Sequence, residues 1–366
     1  MRLLVLTSHA DSLNSIRPEA EIFISMQELG VDITVMTQAD GVYNDRLRKA
    51  GVRLVNFVPQ KKFDRHAVRY VRNYVVDHDI DVVYAFNNPA IITCNRALQR
   101  LNHVSLVTYR GQTGNLSRWD PTCYLTHLNP RVDMILGVSN AVRDSIREAH
   151  PSPAKAETVY KGHNLAWYND AALDLNTLGI PADAFVVGCV ANNRPRKGVR
   201  VLVDATNYLP KQANIHFILV GGGMDAPELQ QQIAASPFAD RFHVLGYRND
   251  SLAIISACDV SVLPAVKREG LPKTVIEAMV YETTPVVTTA GGSPELIDNG
   301  VTGFVVPVNN APAIAEKIKW LYEHRASCKE MGERARVRID EHFNVKDSAK
   351  RTKQLMEDLL ACKQSA

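Results

Sequence analysis

The segment Glu269-Gly-Leu-Pro-Lys-Thr-Val-Ile-Glu277-Ala-Met279 contains two glutamates eight positions apart, with a Gly-x-Pro turn between them. Pro272 suits the first position of a helix, where its missing N–H costs nothing. The residues from Lys273 onwards have the apolar periodicity of a helix. The segment therefore predicts a loop at the first glutamate that leads into a helix containing the second.

The predicted helix start lies between two carboxylates. The first N–H groups of a helix have no partner within the helix, and the helix dipole favours an anion beside them. Here these groups belong to Lys273, Thr274 and Val275. A sugar diphosphate carries negative charge between two sets of hydroxyls, so it matches this order of groups. The alternative interpretation is an amphipathic helix with incidental surface glutamates.

Short apolar runs on both sides of this segment predict buried parallel strands, at 259–264 before it and 285–288 after it. Such runs alternate with amphipathic segments along the whole chain, which is typical of βαβ units. The predicted strands span 3–6, 32–36, 82–85, 105–108 and 134–138, then 185–190, 216–220, 243–245, 260–263, 285–287 and 304–306. The predicted helices include 19–29, 142–149, 311–324, 328–341 and 345–362.

This alternation predicts an α/β fold of two doubly wound Rossmann-like domains. A chain of 366 residues is long enough for two domains. We place the first domain at 1–165 and the second at 183–344, joined by a linker at 166–182 that has no strand pattern. In such domains, ligands bind at the carboxyl ends of the strands.

Composition excludes several other classes of protein. The net charge of +3 is too small to indicate nucleic-acid binding. The six cysteines are scattered without a Cys-x-x-Cys pair, which argues against a zinc site or a disulfide framework. No signal peptide and no apolar run long enough to span a membrane is evident, so we expect a cytoplasmic protein. No Gly-x-Gly-x-x-Gly follows a strand, which disfavours a nicotinamide dehydrogenase.

Further motifs surround the glutamate segment: Pro195-Arg-Lys-Gly198, Val220-Gly-Gly-Gly223 and Gly246-Tyr247 before it, and Gly291-Gly-Ser-Pro-Glu295 after it. In this order they resemble the carboxy-terminal half of retaining GT-B glycosyltransferases of the family-four group. The resemblance covers 185–343 densely and the amino-terminal half loosely. It implies two domains facing across a cleft, with the final helix at about 345–366 crossing back to the first domain. Helix propensity alone equally allows that helix to dock on the second domain.

The resemblance also implies roles for individual residues. A lysine, Lys197, and an arginine stabilise the leaving diphosphate without a metal. The family places that arginine about five residues before the lysine, where this chain has Asn192, so Arg194 or Arg196 takes the role. Glu269 binds the sugar hydroxyls. The donor-binding residues implied are Gly222, Tyr247, Arg248, Gly270, Leu271, Lys273, Thr274, Val275 and Glu277.

Acceptor-side candidates follow two strands of the first half. His9, Asp11 and Asn14 lie after the first strand, in a loop that lacks the glycines common in the family. Arg110 lies where the family often has a histidine followed by Gly or Asp. An arginine there binds a phosphate or an anionic acceptor, or it acts as a structural clamp. The segment 112–119 suits an acceptor loop.

Four cations, Lys62, Arg65, Arg69 and Arg72, recur at helical spacing opposite an apolar face. An ordinary solvated helix explains them. The alternative is an interfacial helix that contacts anionic lipid at the inner membrane surface.

The resemblance predicts a retaining glycosyltransferase that moves a sugar from a nucleoside diphosphate sugar to a hydroxyl. It is expected to need neither a metal nor a cofactor. The Glu-Gly-Leu-Pro-Lys-Thr variant is similar to enzymes of bacterial surface polysaccharide or lipopolysaccharide synthesis, so we expect a glycan or glycolipid acceptor. Two alternatives are a non-catalytic nucleotide-sugar binding protein and a GT-B sugar-nucleotide 2-epimerase. The sugar and the base stay open.

Overall fold

The computed structural model describes residues 1–9 and 13–364, which form two compact α/β units. The first unit comprises Met1–His163 and Phe343–Ala366, and the second comprises Asn164–His342. Asp11 lies outside the described residues.

The first unit contains a seven-stranded parallel sheet with the strand order β3-β2-β1-β4-β5-β6-β7. Its strands are Arg2–Leu6 (β1), Asp32–Thr37 (β2), Arg53–Asn56 (β3), Val82–Ala85 (β4), Ser105–Arg110 (β5), Met134–Gly137 (β6) and Ala156–Thr158 (β7). The order reverses between β1 and β4. Because strand crossovers are right-handed, this reversal places connecting helices on both faces of the sheet.

Helices of the first unit are Leu13–Glu28 (α1), Asn44–Lys49 (α2), Arg65–Asp77 (α3), Asn88–Ala97 (α4) and Asn140–Ala149 (α5). The C-terminal helix, Val345–Gln364, packs against α1 and so belongs to this unit. The expectation that the final helix returns to the first domain is confirmed.

The second unit contains a six-stranded parallel sheet with the order β10-β9-β8-β11-β12-β13, which reverses between β8 and β11. Its strands are Phe185–Val190 (β8), Ile215–Val220 (β9), Phe242–Gly246 (β10), Val260–Leu263 (β11), Thr284–Thr288 (β12) and Phe304–Val306 (β13). Its helices are Val199–Ala205 (α6), Pro227–Ala234 (α7), Ser251–Ser256 (α8), Lys273–Val280 (α9), Ser293–Leu296 (α10), Ala311–Glu323 (α11) and Arg325–His342 (α12). The two parallel α/β units confirm the predicted fold class.

The strands β3 and β7 were absent from the sequence prediction. Both are short and lie at the two edges of the first sheet. Neither shows a run of buried apolar residues, because an edge strand covers less of the core. The segment expected as a linker belongs to the second unit, where Leu173, Leu175 and Leu178 pack against a buried cluster around Ile180 and Ile254.

The segment that carries the four cations Lys62, Arg65, Arg69 and Arg72 differs from its prediction in two ways. The helix α3 begins at Arg65 behind the capping side chain of Asp64, so Lys62 precedes it. Arg72 donates to the carbonyl oxygens of Ala97 and Gln99, each at 2.8 Å, and so ties α3 to the end of α4. Arg72 therefore has a structural role, which argues against an interfacial face that includes it. Two aromatic residues of the apolar face opposite these cations, Phe63 and Tyr70, are exposed, although an apolar face is expected to pack against the core.

Candidate functional site

In the second unit, the loops after β8 and β11 meet at the carboxyl edge of the sheet. These two strands are neighbours at the point where the strand order reverses, which is where open α/β sheets bind their ligands. The Pro-Arg-Lys-Gly motif follows β8, and the first half of the glutamate segment follows β11. The fold therefore brings together two motifs that are about 70 positions apart in sequence.

Gly198 allows the two loops to touch. It ends the 3₁₀ turn Pro195–Lys197 with a φ of +68°, and a Cβ there would lie 1.9 Å from the carbonyl oxygen of Pro264. Beside this contact, the N–H of Val266 donates to the carbonyl oxygen of Arg196 at 2.8 Å. The turn that carries Lys197 is thereby fixed against the loop after β11.

Lys197 and Glu269 form an ion pair in this position, with Nζ 2.8 Å from Oε1. The side chains are only 20% and 5% exposed. An Nη1 atom of Arg196 lies 4.0 Å from the same carboxylate oxygen, whereas Arg194 is exposed. The structure thus brings Lys197, Arg196 and Glu269 together and leaves Arg194 outside this group.

The helix α9 starts one residue later than predicted. Pro272, with a ψ of 110°, is extended and occupies the N-cap, so Lys273 is the first helical residue. The N–H of Val275 donates to the carbonyl oxygen of Pro272 at 3.1 Å, so the expectation of a free N–H at Val275 was wrong. Within the helix, Lys273 Nζ lies 2.9 Å from Oε1 of the buried Glu277. Gly270 is buried, while Leu271 and Thr274 are half-buried beside the helix start.

Asn192 occupies the place where the resemblance expects an arginine, and it has a structural contact. Its Oδ1 accepts the N–H of Gly222 at 2.9 Å, which joins the loop after β8 to the glycine loop after β9. After β10, Tyr247 is 70% exposed. Arg248 donates twice to Asp250, at 2.8 and 2.6 Å, so this arginine is already paired with a surface carboxylate.

In the first unit, His9 ends up beside two charged residues that the sequence prediction did not single out. Glu19 Oε2 lies 3.2 Å from Lys161 Nζ, and Glu19 Oε1 lies 3.6 Å from His9 Nε2. Thr7 donates to Glu19 Oε1 at 2.8 Å, and Lys161 Nζ lies 5.0 Å from the centre of the Tyr109 ring. This group lies at the strand ends where the first sheet reverses its order.

Burial raises the pKa of Glu19, but Lys161 and His9 outweigh it and bring the pKa down to about 2. Burial likewise lowers the pKa of Lys161, but Tyr109 and Glu19 together hold it above its ordinary value. Both groups are therefore charged at neutral pH. Lys161 follows β7, and because β7 was not predicted, Lys161 was not expected at a strand end.

The structure also describes two further acceptor-side candidates, Asn14 and Arg110. Asn14 is half-buried in the first turn of α1. Arg110 ends β5, is only 9% exposed and donates to the carbonyl oxygen of Gly114. Burial lowers its pKa.

The described part of the chain contains neither a cluster of metal-binding side chains nor a helix able to span a membrane. Across 1–9 and 13–364, no three His, Cys, Asp or Glu side chains are grouped to hold an ion. No helix in those ranges is long and apolar enough to cross a membrane. An Asp-x-Asp-x-Asp pattern ends at Asp81, at the amino end of β4, where Asp81 accepts the N–H of Arg2 at 2.6 Å.

Family models match both units. Residues 172–338 match the model described as "Glycosyl transferases group 1", and residues 20–162 match "Glycosyl transferase 4-like domain". The chain belongs to the group 1 glycosyltransferases. This family is consistent with the resemblance that the order of motifs indicates. The Lys197–Glu269 pair lies inside the region that matches the group 1 model.

Relatives and solved structures point the same way. The chain is 33% identical to the Campylobacter jejuni N,N'-diacetylbacillosaminyl-diphospho-undecaprenol alpha-1,3-N-acetylgalactosaminyltransferase, over 38% of this chain and 35% of that one. It is 24% identical to the Bacillus anthracis N-acetyl-alpha-D-glucosaminyl L-malate synthase, over 58% and 56% of the two chains. The match thus spans about a third of the Campylobacter protein and little more than half of the Bacillus protein.

The crystal structure of Anabaena HepE in complex with UDP superposes with a TM-score of 0.79 at 22% identity. The match covers 98% of this chain and 99% of HepE. At this identity, the likeness establishes the fold.

Proposed function

We propose that this group 1 glycosyltransferase moves a sugar from a nucleoside diphosphate sugar to a hydroxyl acceptor and retains the anomeric configuration. One observation carries the proposal: Lys197 and Glu269 come from different loops and meet, almost buried, where the strand order of the second sheet reverses. That edge is where α/β sheets bind ligands. The match to the group 1 model over 172–338 supports a nucleotide-sugar donor.

The proposed reaction breaks the bond from the anomeric carbon to the diphosphate and forms a bond from that carbon to the acceptor oxygen on the same face. The departing phosphate oxygen takes the proton of the acceptor hydroxyl. Negative charge grows on the diphosphate, and Lys197 with Arg196 stabilises it electrostatically. This arrangement needs no metal and no cofactor.

Each carboxylate has a separate proposed partner on the donor. Glu269 lies in the loop beside Lys197, so it accepts hydrogen bonds from the sugar hydroxyls. Glu277 lies inside α9 and accepts hydrogen bonds from the ribose hydroxyls. The N–H groups of Lys273 and Thr274 at the helix start favour the diphosphate between them.

The proposed acceptor is a glycan or a glycolipid of the cell envelope. The Campylobacter relative is named for a lipid diphosphate acceptor and the Bacillus relative for L-malate. Both acceptors carry oxyanions, one a phosphate and the other a carboxylate.

A thermal-shift screen against nucleotide sugars, followed by a turnover assay, tests the proposal. A ligand at 100 times its Kd stabilises the fold by ~2.7 kcal/mol, which such a screen detects. We expect free nucleoside diphosphate and an α-configured product from an α-configured donor, with activity that survives excess chelator. Binding without turnover would indicate a non-catalytic binding protein, and an epimerised donor would indicate a 2-epimerase. An inverted product, or loss of activity on chelation with rescue by Mg²⁺ or Mn²⁺, would contradict the mechanism.

A further inference from the structure

A polar cavity lies wholly within the first unit, at the carboxyl end of β5. Its volume is about 700 Å³, within the range of small-molecule sites. Arg110 lines it from the end of the strand, and Lys62, Asn88, Gln112, Asn115 and Ser117 contribute further polar groups. The cavity includes much of the segment 112–119 that the sequence suggested as an acceptor loop.

Arg110 is unusual in this cavity because its charge is buried but not neutralised. The residue is 9% exposed, and its buried Nε has no hydrogen-bond partner. The guanidinium donates a hydrogen bond to the backbone carbonyl of Gly114. In the part of the chain that the structure describes, no carboxylate forms an ion pair with it. A buried, unpaired charge is costly, so an anion that enters the cavity gains a strong partner.

The neighbouring groups leave the cavity cationic. Burial, followed by the charges of Arg110 and His150, lowers the pKa of His127 to about 3, so this histidine is neutral. Its Nδ1 lies 3.0 Å from Thr108 Oγ1, on the same face of β5 as Arg110. Asp120, the acidic group of the lining, is exposed and caps the 3₁₀ turn Pro121–Leu125 by accepting the N–H of Thr122 at 2.8 Å. Its carboxylate is thus already engaged in a turn.

We infer that this cavity is an oxyanion subsite, in which the Arg110 guanidinium binds a phosphate or carboxylate group of the acceptor. The assignment of the anion to the acceptor rests on the proposed function. The anion site itself rests only on the burial of Arg110 and its lack of an ion-pair partner. The planar guanidinium offers parallel N–H groups that match both kinds of oxyanion. The acceptor hydroxyl is then a second group of the same molecule.

The Nε–H signal of Arg110 in a ¹H–¹⁵N spectrum of the full chain tests the anion site directly. Its assignment comes from its loss in Arg110→Gln. The probes are inorganic phosphate, a short-chain prenyl diphosphate and L-malate, each titrated separately. We expect at least one probe to move the signal with saturation. The prenyl diphosphate identifies a lipid-phosphate source and L-malate a hydroxy-acid source, while phosphate alone identifies a free anion and overturns the acceptor assignment. No movement with any probe overturns the site.

Affinity measurements on variants separate a specific site from general charge. The loss of one charge-assisted contact weakens binding by about 10-fold to 100-fold, so we expect that drop for Arg110→Gln. Arg110→Lys keeps the charge but loses the parallel N–H donors. Its affinity for the anion should therefore lie between those of the natural chain and of Arg110→Gln. Arg53→Gln, on the edge strand β3, is the matched control and should bind as the natural chain does. Equal weakening in the control overturns the inference. If Arg110→Gln does not fold, Arg110→Lys provides the comparison.

A transfer assay distinguishes this inference from the proposed function. At saturating donor, Arg110→Gln should raise the acceptor KM, and at saturating acceptor it should leave the donor KM unchanged. Signal movement without transfer by the natural chain would support the anion site and contradict the proposed function. Transfer with an unmoved Arg110 signal and an unchanged acceptor KM would support the function and overturn the subsite.

Discussion

At the scale of single residues, each of the two glutamates at the candidate site of the second unit is paired with a lysine. Glu269 pairs with Lys197 from another loop, whereas Glu277 pairs with Lys273 one turn away in the same helix. A buried carboxylate without such a partner would be costly. Glu269 therefore lies in a loop and Glu277 in a helix. We expect substitution of each glutamate to affect a different step, catalysis or nucleotide binding.

We predict that Glu277→Gln weakens binding of the free nucleoside diphosphate by about 10-fold to 100-fold, because the neutral amide replaces hydrogen bonds to a charged group with weaker ones. Glu269→Gln should leave that affinity nearly unchanged and lower kcat with the sugar donor. Titration calorimetry with the nucleoside diphosphate measures the first effect. Glu316→Gln, on the exposed face of α11, is the control. Equal losses of affinity in both variants would contradict separate roles.

The Glu19–Lys161 pair predicts a pH-dependent contribution to stability. The pKa of Glu19 is lowered from 4.5 to about 2 in the folded protein, so its charge stabilises the fold above about pH 4.5 and loses this effect as the pH falls toward 2. Lys161→Met leaves that buried carboxylate without its lysine, with only His9 and Thr7 beside it. We expect a loss of ~3–5 kcal/mol in the free energy of unfolding at neutral pH.

Urea denaturation of this variant from about pH 8 to about pH 4 measures the effect. The loss should shrink at acid pH, because protonation of Glu19 removes the unpaired charge. The double variant Glu19→Gln with Lys161→Met should recover part of the stability. A loss that is the same at every pH would show that packing, and not charge, explains the pair.

At the scale of elements, turns at strand ends decide which side chains meet. Gly198 and Gly179 each end a 3₁₀ turn with nearly the same backbone, at φ values of +68° and +70°. A Cβ on Gly198 would collide with Pro264, whereas nothing lies within 4 Å of a Cβ on Gly179. The two positions therefore separate the cost of the backbone conformation from the cost of the contact.

We predict that Gly179→Ala costs only ~1–2 kcal/mol, the penalty of a left-handed residue. Gly198→Ala should cost more and should also lower kcat by about 10-fold to 100-fold, because a shifted turn displaces Lys197. Thermal unfolding and steady-state rates of both variants provide the comparison. The contact would be unimportant if the two variants had equal stability and equal rates.

Individual elements also show where sequence reasoning succeeds. The buried central strands β4, β8 and β11 were predicted with their observed bounds, because each is an apolar run between turn signals. The edge strands β3 and β7 carry no such signal. The start of α9 was missed by one residue because proline is compatible with both the N-cap and the first helical position.

At the scale of the whole molecule, both units use the same design. Each is a parallel sheet whose strand order reverses once, and each carries a polar or charged group at the carboxyl ends of the strands beside that reversal. The motifs of the second unit predicted the Lys197–Glu269 group, since both residues lie in local patterns. The Glu19–Lys161 pair joins residues 142 positions apart, and no local pattern marks a contact of that kind.

The central claim is that Lys197 stabilises charge on the leaving diphosphate, and the most direct measurement is the steady-state kinetics of Lys197→Ala. A charge that matters more in the transition state than in the ground state affects kcat more than the donor KM. We predict that kcat falls ~10²–10³-fold, as for other single electrostatic donors, while the donor KM changes little. A folded Lys197→Ala protein that keeps the natural kcat would contradict the account.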